Sequence, residues 1–328
     1  AVVIYTFITD FGAEIRIELM LRAAEEEQLA KSLADLSAGT ASLARLEELF
    51  YPFKTIQNSE SSFANLCAYS FIYSGQWAII DNCLVTRIHF EKNSHICYHY
   101  PLGNGDKDKI IEKLINYSKQ NNEKMSVICE TKERKHCFEH NFNIKEERDF
   151  FDYLYLREDL ESLKGKKLQP KRNHINKFNA KYKWDYIEIN AKNYHPCLSL
   201  LNTWQEKAIE KNPELKTEYE KEKKVIEYLF SNFDALDLKA GAIKVEEKII
   251  AFTIGSKINN ETFDIHIEKA DRDFEGAFAL INQEFAKRLD ASYKYINREE
   301  DLGIKGLRKA KLSYYPIKLI EKYIATLK

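Results

Sequence analysis

The sequence predicts an α/β (α+β) protein of two tandem units, each a mixed, mostly antiparallel sheet with helices packed on it. Three observations carry this. Apolar spacing switches repeatedly between a period of two and a period of three to four. One element order, helix, three strands, helix, strand, helix and strand, runs over residues 59–156 and recurs over 184–328, although residue identity between the halves is not evident. A chain of 328 residues, 44% hydrophobic, has material for two cores.

The first fifty residues stand apart. They are rich in Ala, Leu and Glu, carry one lysine, Lys31, and contain no Asn. "ELMLRAAEEEQLAKSLADL" has helical periodicity, with Leu19, Leu29, Leu33 and Leu36 as core contacts. The expected division is a helical extension over 1–50, a first domain over 51–163 and a second over 164–328.

In the first half "SSFANLCAYSFIYS" reads as a helix capped by Ser61 or Ser62. "QWAIIDNCLVTRIHF" is two strands turning at Asp81-Asn82, and "HICYHYP" a third. "NGDKDKIIEKLINYSKQ" is an amphipathic helix capped near Asp106. "MSVICE" is a buried strand, "KERKHCFEHN" a short helix and "FDYLYLRE" a closing strand.

In the second half "WDYIEIN" is a strand, followed by two helices in "YHPCLSLLNTWQEKAIEK" and "EYEKEKKVIEYLFSNFDAL". Residues 240–270 give three strands, with turns at Glu246-Glu247 and Asn259-Asn260. "AFALINQEFAKRL" is a helix with a stripe through Phe278, Ile281, Phe285 and Leu289. "KYIN" is a strand, "IKGLRKAKLSYY" a helix and "PIKLIEKYIATL" one last strand.

Formal net charge is −1, which argues against wholesale coating of nucleic acid but not against a local patch. No apolar run approaches the ~20 residues that span a bilayer, and the opening residues lack the features of a signal peptide. A cytoplasmic location is expected. The six cysteines form no CxxC pair, which favours reduced thiols. His95, Cys97 and His99 alternate on one strand, and His136 and His140 are four apart, but neither set has a third ligand at fitting spacing. No metal and no cofactor is required.

A strand, two helices, three antiparallel strands, a helix, a strand, a helix and a strand is the element order of a GNAT-type N-acyltransferase. Longer runs narrow this: "FDYLYLREDLESLKGKKLQPKRNHINKF", "KIIAFTIG", "HIEKAD", "INQEFA" and "YKYINREEDLGIKGLRKAKLSYYP". Over roughly residues 51–328 the chain resembles the C-terminal domain of phosphatidylglycerol lysyltransferases. The resemblance implies two tandem GNAT-like acyl-CoA N-acyltransferase domains and an acyltransferase activity. Acetyl-CoA users of this fold carry a Q/R-x-x-G-x-G/A loop whose N–H groups cradle a pyrophosphate. Here "DRDFEGAFALINQ" keeps Arg272 and Gly276 but lacks the second glycine and places Phe278 after Ala277. The lipid and peptidoglycan aminoacyltransferases also lack that loop and draw their acyl group from tRNA. The expected reaction is therefore aminoacyl transfer from an aminoacyl-tRNA-type donor to an amine or hydroxyl, on a small-molecule or lipid-headgroup acceptor. Two alternatives stay open: a non-catalytic module that binds tRNA or another polyanion, and an acyl-CoA-dependent N-acetyltransferase.

Three stretches carry the candidate site. "KGKKLQPKRNHINKF" is a helix whose Pro170 fits the first turn. Ile175 and Phe178 anchor it, while Lys167, Lys171, Arg172, Asn173, His174 and Lys177 form a basic ridge suited to phosphates; the plain alternative is a solvated face. In "FDIHIEKAD", strict alternation puts Asp264, His266 and Glu268 on one face, with Glu268 or His266 as a base for acyl transfer. "NREEDLGIKGLRKAK" follows a strand end, where open α/β sheets bind ligands. Its Asn297, Arg298, Glu299, Glu300 and Arg308 are candidates for holding a donor amine and a carboxylate or phosphate.

Overall fold

The computed structural model describes residues 2–8, 14–20, 56–81, 83–89, 95–130 and 142–328. Two compact units emerge: residues 1–55, 65–151 and 320–328 form one, and residues 56–64 and 152–319 the other. The chain therefore passes between them at 55/56, 64/65, 151/152 and 319/320 rather than once near 163/164.

The first unit opens with strands β1 (Val2–Ile8) and β2 (Glu14–Met20), paired antiparallel. The expected helical extension finds no support there, since Leu19 lies on a strand; the rest of that reading, from residue 21, falls outside the described residues. Helix α1 (Phe63–Tyr73), β3 (Gln76–Ile80), β4 (Cys83–His89), β5 (His95–His99) and β6 (Leu102–Gly103) follow. Helix α2 (Lys107–Gln120) begins where Asp106 accepts the Lys109 N–H at 3.2 Å. Its Ile110, Ile111 and Leu114 recur at helical spacing and are buried. Strands β7 (Lys124–Cys129) and β8 (Phe142–Glu146) complete this run. The helix expected over 132–141 falls outside the described residues, as does Cys137. The other five cysteines are free, buried thiols.

The second unit runs β9 (Asp152–Leu156), α3 (Arg157–Ser162), α4 (Gln169–Lys181), β10 (Trp184–Ile189), α5 (His195–Lys211), α6 (Lys216–Ser231), β11 (Lys239–Val245), β12 (Lys248–Lys257), β13 (Thr262–Ala270), α7 (Ala277–Arg288), β14 (Tyr295–Asn297), α8 (Lys305–Leu312) and β15 (Lys318–Ile320). Its sheet has the order β10-β11-β12-β13-β14-β9-β15. Strand β13 meets β14 in parallel; the β10–β11, β11–β12, β12–β13 and β14–β9 pairs are antiparallel. Helix α7 packs on β11–β13 with α3 and α4 beside it; Ile281, Phe285 and Leu289 of the expected stripe meet Tyr155, Phe178 and Phe263 in one buried cluster, whereas Phe278, in the first turn, is exposed. Phe178 is 1% exposed, and burying such a side chain is worth about 2–3 kcal/mol.

Two strands change place relative to the sequence reading. Strand β9, expected to close the first half, lies between β14 and β15 of the second sheet. The single strand expected over 316–327 is broken at Glu321 and Lys322: β15 stays with the second sheet, and β16 (Tyr323–Leu327) enters the first sheet between β7 and β8. Periodicity shows that a strand exists but not which sheet it joins.

Candidate active site

Strands β13 and β14 pair only over Thr262–Asp264 and Tyr295–Asn297, yet β13 runs on to Ala270. An ion pair spans the parting: Arg298 Nη2 lies 2.8 Å from Glu268 Oε1, with 11% of each side chain exposed. Asn282, buried on α7, donates its amide N–H to Glu268 Oε2 at 3.1 Å. Two donors thus hold the carboxylate in place. Arg298 also lies over two rings, 4.8 Å from the centroid of Tyr314 and 5.6 Å from that of Tyr155. Lys171 reaches in from α4, its Nζ 3.9 Å from the Tyr314 centroid. Burial pushes its pKa down to about 8, with Arg298 adding to the fall and Glu268 opposing it. Burial opposes the charge of Arg298 as well, but Glu268 more than restores it and the pKa is raised.

Two atoms in this cluster keep unused hydrogen-bonding capacity. Arg298 Nη1 and Asn282 Oδ1 are buried without a hydrogen-bond partner. One is a cationic donor and the other a neutral acceptor, held on either side of one carboxylate. A buried group left unsatisfied in this way costs roughly 1–3 kcal/mol, so the pair marks a place prepared for a polar ligand.

His266 does not share this place. The β12–β13 register shifts between Ile254 and Gly255, so that Ile254 faces Ile267 while Gly255 faces Ile265. His266 is the extra residue of a β-bulge, and the alternation reverses across it. Phe263, Ile265 and Ala270 lie in the cluster with α7, and Glu268 bonds α7 as well, whereas Lys269 reaches Glu222 on α6. His266 turns to another group: Nε2 is 2.8 Å from Ser256 Oγ, and Nδ1 is 3.1 Å from Glu299 Oε1 and 3.5 Å from Asp264 Oδ2. Donor atoms of Asp264, His266 and Glu299 lie within 4.8 Å of one another, a set able to hold a cation. Gly255 is needed at the bulge, because a Cβ there would stand 2.0 Å from the Asp264 carbonyl oxygen.

The third stretch is largely spent on holding the loop. Asn297, fully buried, donates to the Gln57 carbonyl at 2.7 Å and to Asp152 Oδ2 at 2.9 Å, and accepts the Glu299 N–H at 2.7 Å. Arg308 grips Asp301 through two hydrogen bonds of 2.9 and 2.7 Å. Burial would raise the Asp301 pKa, but Arg308, the Tyr153 hydroxyl and the Gly303 N–H bring it down to about 2. Glu300 offers its backbone carbonyl, with that of Arg298, to the buried Lys311 ammonium. Of the residues proposed there, Arg298 alone faces Glu268, while Glu299 faces His266.

The basic helix splits in the same way. Lys171 turns to the Glu268–Arg298 cluster. Arg172 folds back on the carbonyls of Leu163 and Gly165 and on Gln169, closing the turn before its own helix. Lys167 lies 5.3 Å from the Tyr315 centroid, Asn173 accepts from Gln169, and His174 and Lys177 reach Glu275 at 3.2 and 3.8 Å. Asn282, Tyr155 and Tyr314 were not among the sequence candidates. Asn282 falls within the apolar run of α7, and both tyrosines look like core residues until Arg298 is placed over their rings.

At the N-terminus of α7, Gly276 has φ +97°, and a Cβ there would stand 2.5 Å from the His174 carbonyl oxygen of α4. Helix α4 thus lies against the place where a GNAT-type fold would present N–H groups to a pyrophosphate.

The parted strands, the helix beside them and the two-unit order define a protein of the GNAT-like acyltransferase class. The chain belongs to the family described as phosphatidylglycerol lysyltransferase, C-terminal, whose pattern matches residues 53–326. A crystallised conserved protein of unknown function from Bacteroides thetaiotaomicron is 40% identical, with 87% of this chain and 97% of that one covered and a TM-score of 0.81. Two further structures share the fold. The C-terminal domain of a putative lysylphosphatidylglycerol synthetase from Agrobacterium fabrum is 12% identical, with 88% and 93% covered and a TM-score of 0.60. L-PGS from Bacillus licheniformis is 14% identical, with 80% and 91% covered and a TM-score of 0.55. An uncharacterised protein of Mycoplasmoides gallisepticum is 26% identical over 175 residues, so the match spans 53% of this chain and 55% of that relative. No described helix is long and apolar enough to cross a membrane.

Proposed function

We propose that the second unit transfers an aminoacyl group from an aminoacyl-tRNA-type donor to an amine or hydroxyl acceptor, acting in the cytoplasm where such donors are made. The observation that carries this reading is the pair of buried, unfilled hydrogen-bonding atoms, Arg298 Nη1 and Asn282 Oδ1, beside the Glu268 carboxylate. An aminoacyl ester offers a carbonyl oxygen and an ammonium three bonds apart. The carbonyl oxygen suits the Arg298 donor, and the ammonium suits the Asn282 acceptor with Glu268 nearby. When the acceptor attacks the carbonyl carbon, the Arg298 N–H stabilises the developing oxyanion. Glu268 takes the proton released by the acceptor. The ester C–O bond then breaks, and the departing ribose oxygen takes that proton from Glu268, which returns to its carboxylate form. His266, the bulge residue itself, held by Ser256 and facing Glu299, is the weaker candidate for base.

The His174 carbonyl against Gly276 favours this donor over acyl-CoA, whose pyrophosphate would need that helix end. The acceptor class is a small amine or hydroxyl compound, or a lipid headgroup. The test is transfer from a panel of radiolabelled aminoacyl-tRNAs, with products identified by mass spectrometry. Turnover that persists in Glu268→Gln, or tight binding of acetyl-CoA by calorimetry, would overturn the reading. Salt-sensitive tRNA binding without any product would leave a binding module instead.

A further inference from the structure

Helix α8 is partly built inside out. Two of its four cationic side chains turn inward, Arg308 to buried Asp301 and Lys311 to the carbonyls of Arg298 and Glu300, while Lys305 and Lys309 stay exposed. Its leucines turn outward. Leu302 and Ile304, before the helix, are 55% and 53% exposed, and Leu307, Leu312, Tyr315 and Ile317 continue the surface. Scattered exposed apolar residues need no explanation, but six within sixteen consecutive positions of one turn–helix–turn do. The cost of exposing them is borne while Arg308 and Lys311 of the same helix are turned inward, so the apolar face is not a by-product of a small core.

Within this segment the charge has one sign. Residues 302–318, "LGIKGLRKAKLSYYPIK", contain no Asp or Glu, and Lys305, Lys309 and Lys318 are exposed among the apolar side chains. Lys167, over the Tyr315 ring, brings the lysines at the start of α4 to the same border. Exposed aliphatic side chains rimmed by ammonium groups match an anionic bilayer surface: the aliphatics enter the acyl boundary, and the lysines reach headgroup phosphates. A polyanion in water, such as RNA, would gain nothing from exposed Leu and Ile. At eight residues α8 is far too short to span a membrane, so its place is in the interface.

We propose that residues 302–318 are a docking surface for anionic lipid bilayers. The surface holds the second unit against a membrane through shallow insertion of Leu302, Ile304, Leu307 and Ile317. The experiment is flotation of the protein with vesicles of phosphatidylcholine alone, or of equal parts phosphatidylcholine and phosphatidylserine. Phosphatidylserine serves as the probe because its binding does not depend on which acceptor the Glu268 site uses. The expected result is binding to the mixed vesicles that weakens with salt. Lys305→Glu with Lys309→Glu lowers it on the order of thirtyfold, and Ile304→Ser with Leu307→Ser lowers it at least about tenfold, with circular dichroism unchanged. Absence of binding to mixed vesicles, or binding by both double variants equal to that of the unaltered protein, overturns the proposal. So does a dimer that Ile304→Ser with Leu307→Ser converts to monomer while vesicle binding stays the same, since the surface would then belong to a second copy. Failure of aminoacyl transfer leaves this result untouched.

Discussion

Lys171 Nζ lies 3.9 Å from the ring centroid of Tyr314, in the same cluster as the Arg298 guanidinium, and forms no ion pair among the described residues. A lysine buried beside another cation gives up its proton early. Its pKa of about 8 lies below that of an unfolded lysine, roughly 10.4. The unfolded chain therefore binds more protons between those values, and the contribution of Lys171 to stability rises as pH increases from about 8 towards 10. Denaturant titrations across that range will show this slope, and Lys171→Met will remove it. An amine-acylating reagent at rising pH will label Lys171 with a midpoint near 8, ahead of the surface lysines.

Asp301 runs the other way. Held near pH 2, its carboxylate stabilises the fold at neutral pH, and that contribution is lost as pH falls from about 4 to about 2. Arg308→Ala takes the guanidinium away from a buried carboxylate, at an expected cost of about 3 kcal/mol. Urea unfolding at pH 7 measures it, and the loss will shrink as the pH is lowered.

Gly276→Ala tests the packing of α4 on the end of α7. The added methyl meets the His174 carbonyl in a backbone conformation that favours glycine, so a loss of about 1–3 kcal/mol in thermal unfolding is expected. Gly306→Ala, where nothing lies within 4 Å, is the control and will be near neutral.

Asn297→Ala will separate anchoring from catalysis. Its side chain ties Gln57 and Asp152 together, and Asp152 in turn accepts from the Ser59 N–H at 2.7 Å. Faster amide exchange over residues 56–62 is expected, whereas a substrate contact would raise KM with exchange unchanged.

Arg298→Lys probes the site itself. Lysine can keep a charge near Glu268 but not the fork that presents Nη1, so kcat will fall on the order of a hundredfold or more with little change in stability.

Much of this fold is legible in the sequence because it is written in local periodicity. The cap at Asp106, the first-turn Pro170, the buried Ile175 and Phe178 and the buried Ile281 and Phe285 of α7 each follow from residues within one or two turns. What periodicity cannot carry is partnership. The bulge at His266 depends on how β12 and β13 align, so alternation alone placed Asp264, His266 and Glu268 together when the register parts them. Arg308 and Asn297 looked available because the groups they satisfy, Asp301 and the Gln57 carbonyl, meet them through turns or from far along the chain. Lys171 and Arg172 are neighbours of similar charge with opposite fates, one facing Tyr314 and the other its own helix entrance.

The exchange of β16 has a consequence for biosynthesis. Its five residues, Tyr323–Leu327, are the inner strand that joins β7 to β8 in the first sheet. On the ribosome, β7 and β8 must wait with open edges while more than 170 later residues are made, including the whole of the second unit's sheet. The half synthesised first is thus the half completed last, and its exposed edges during that interval are where a holdase chaperone would be needed.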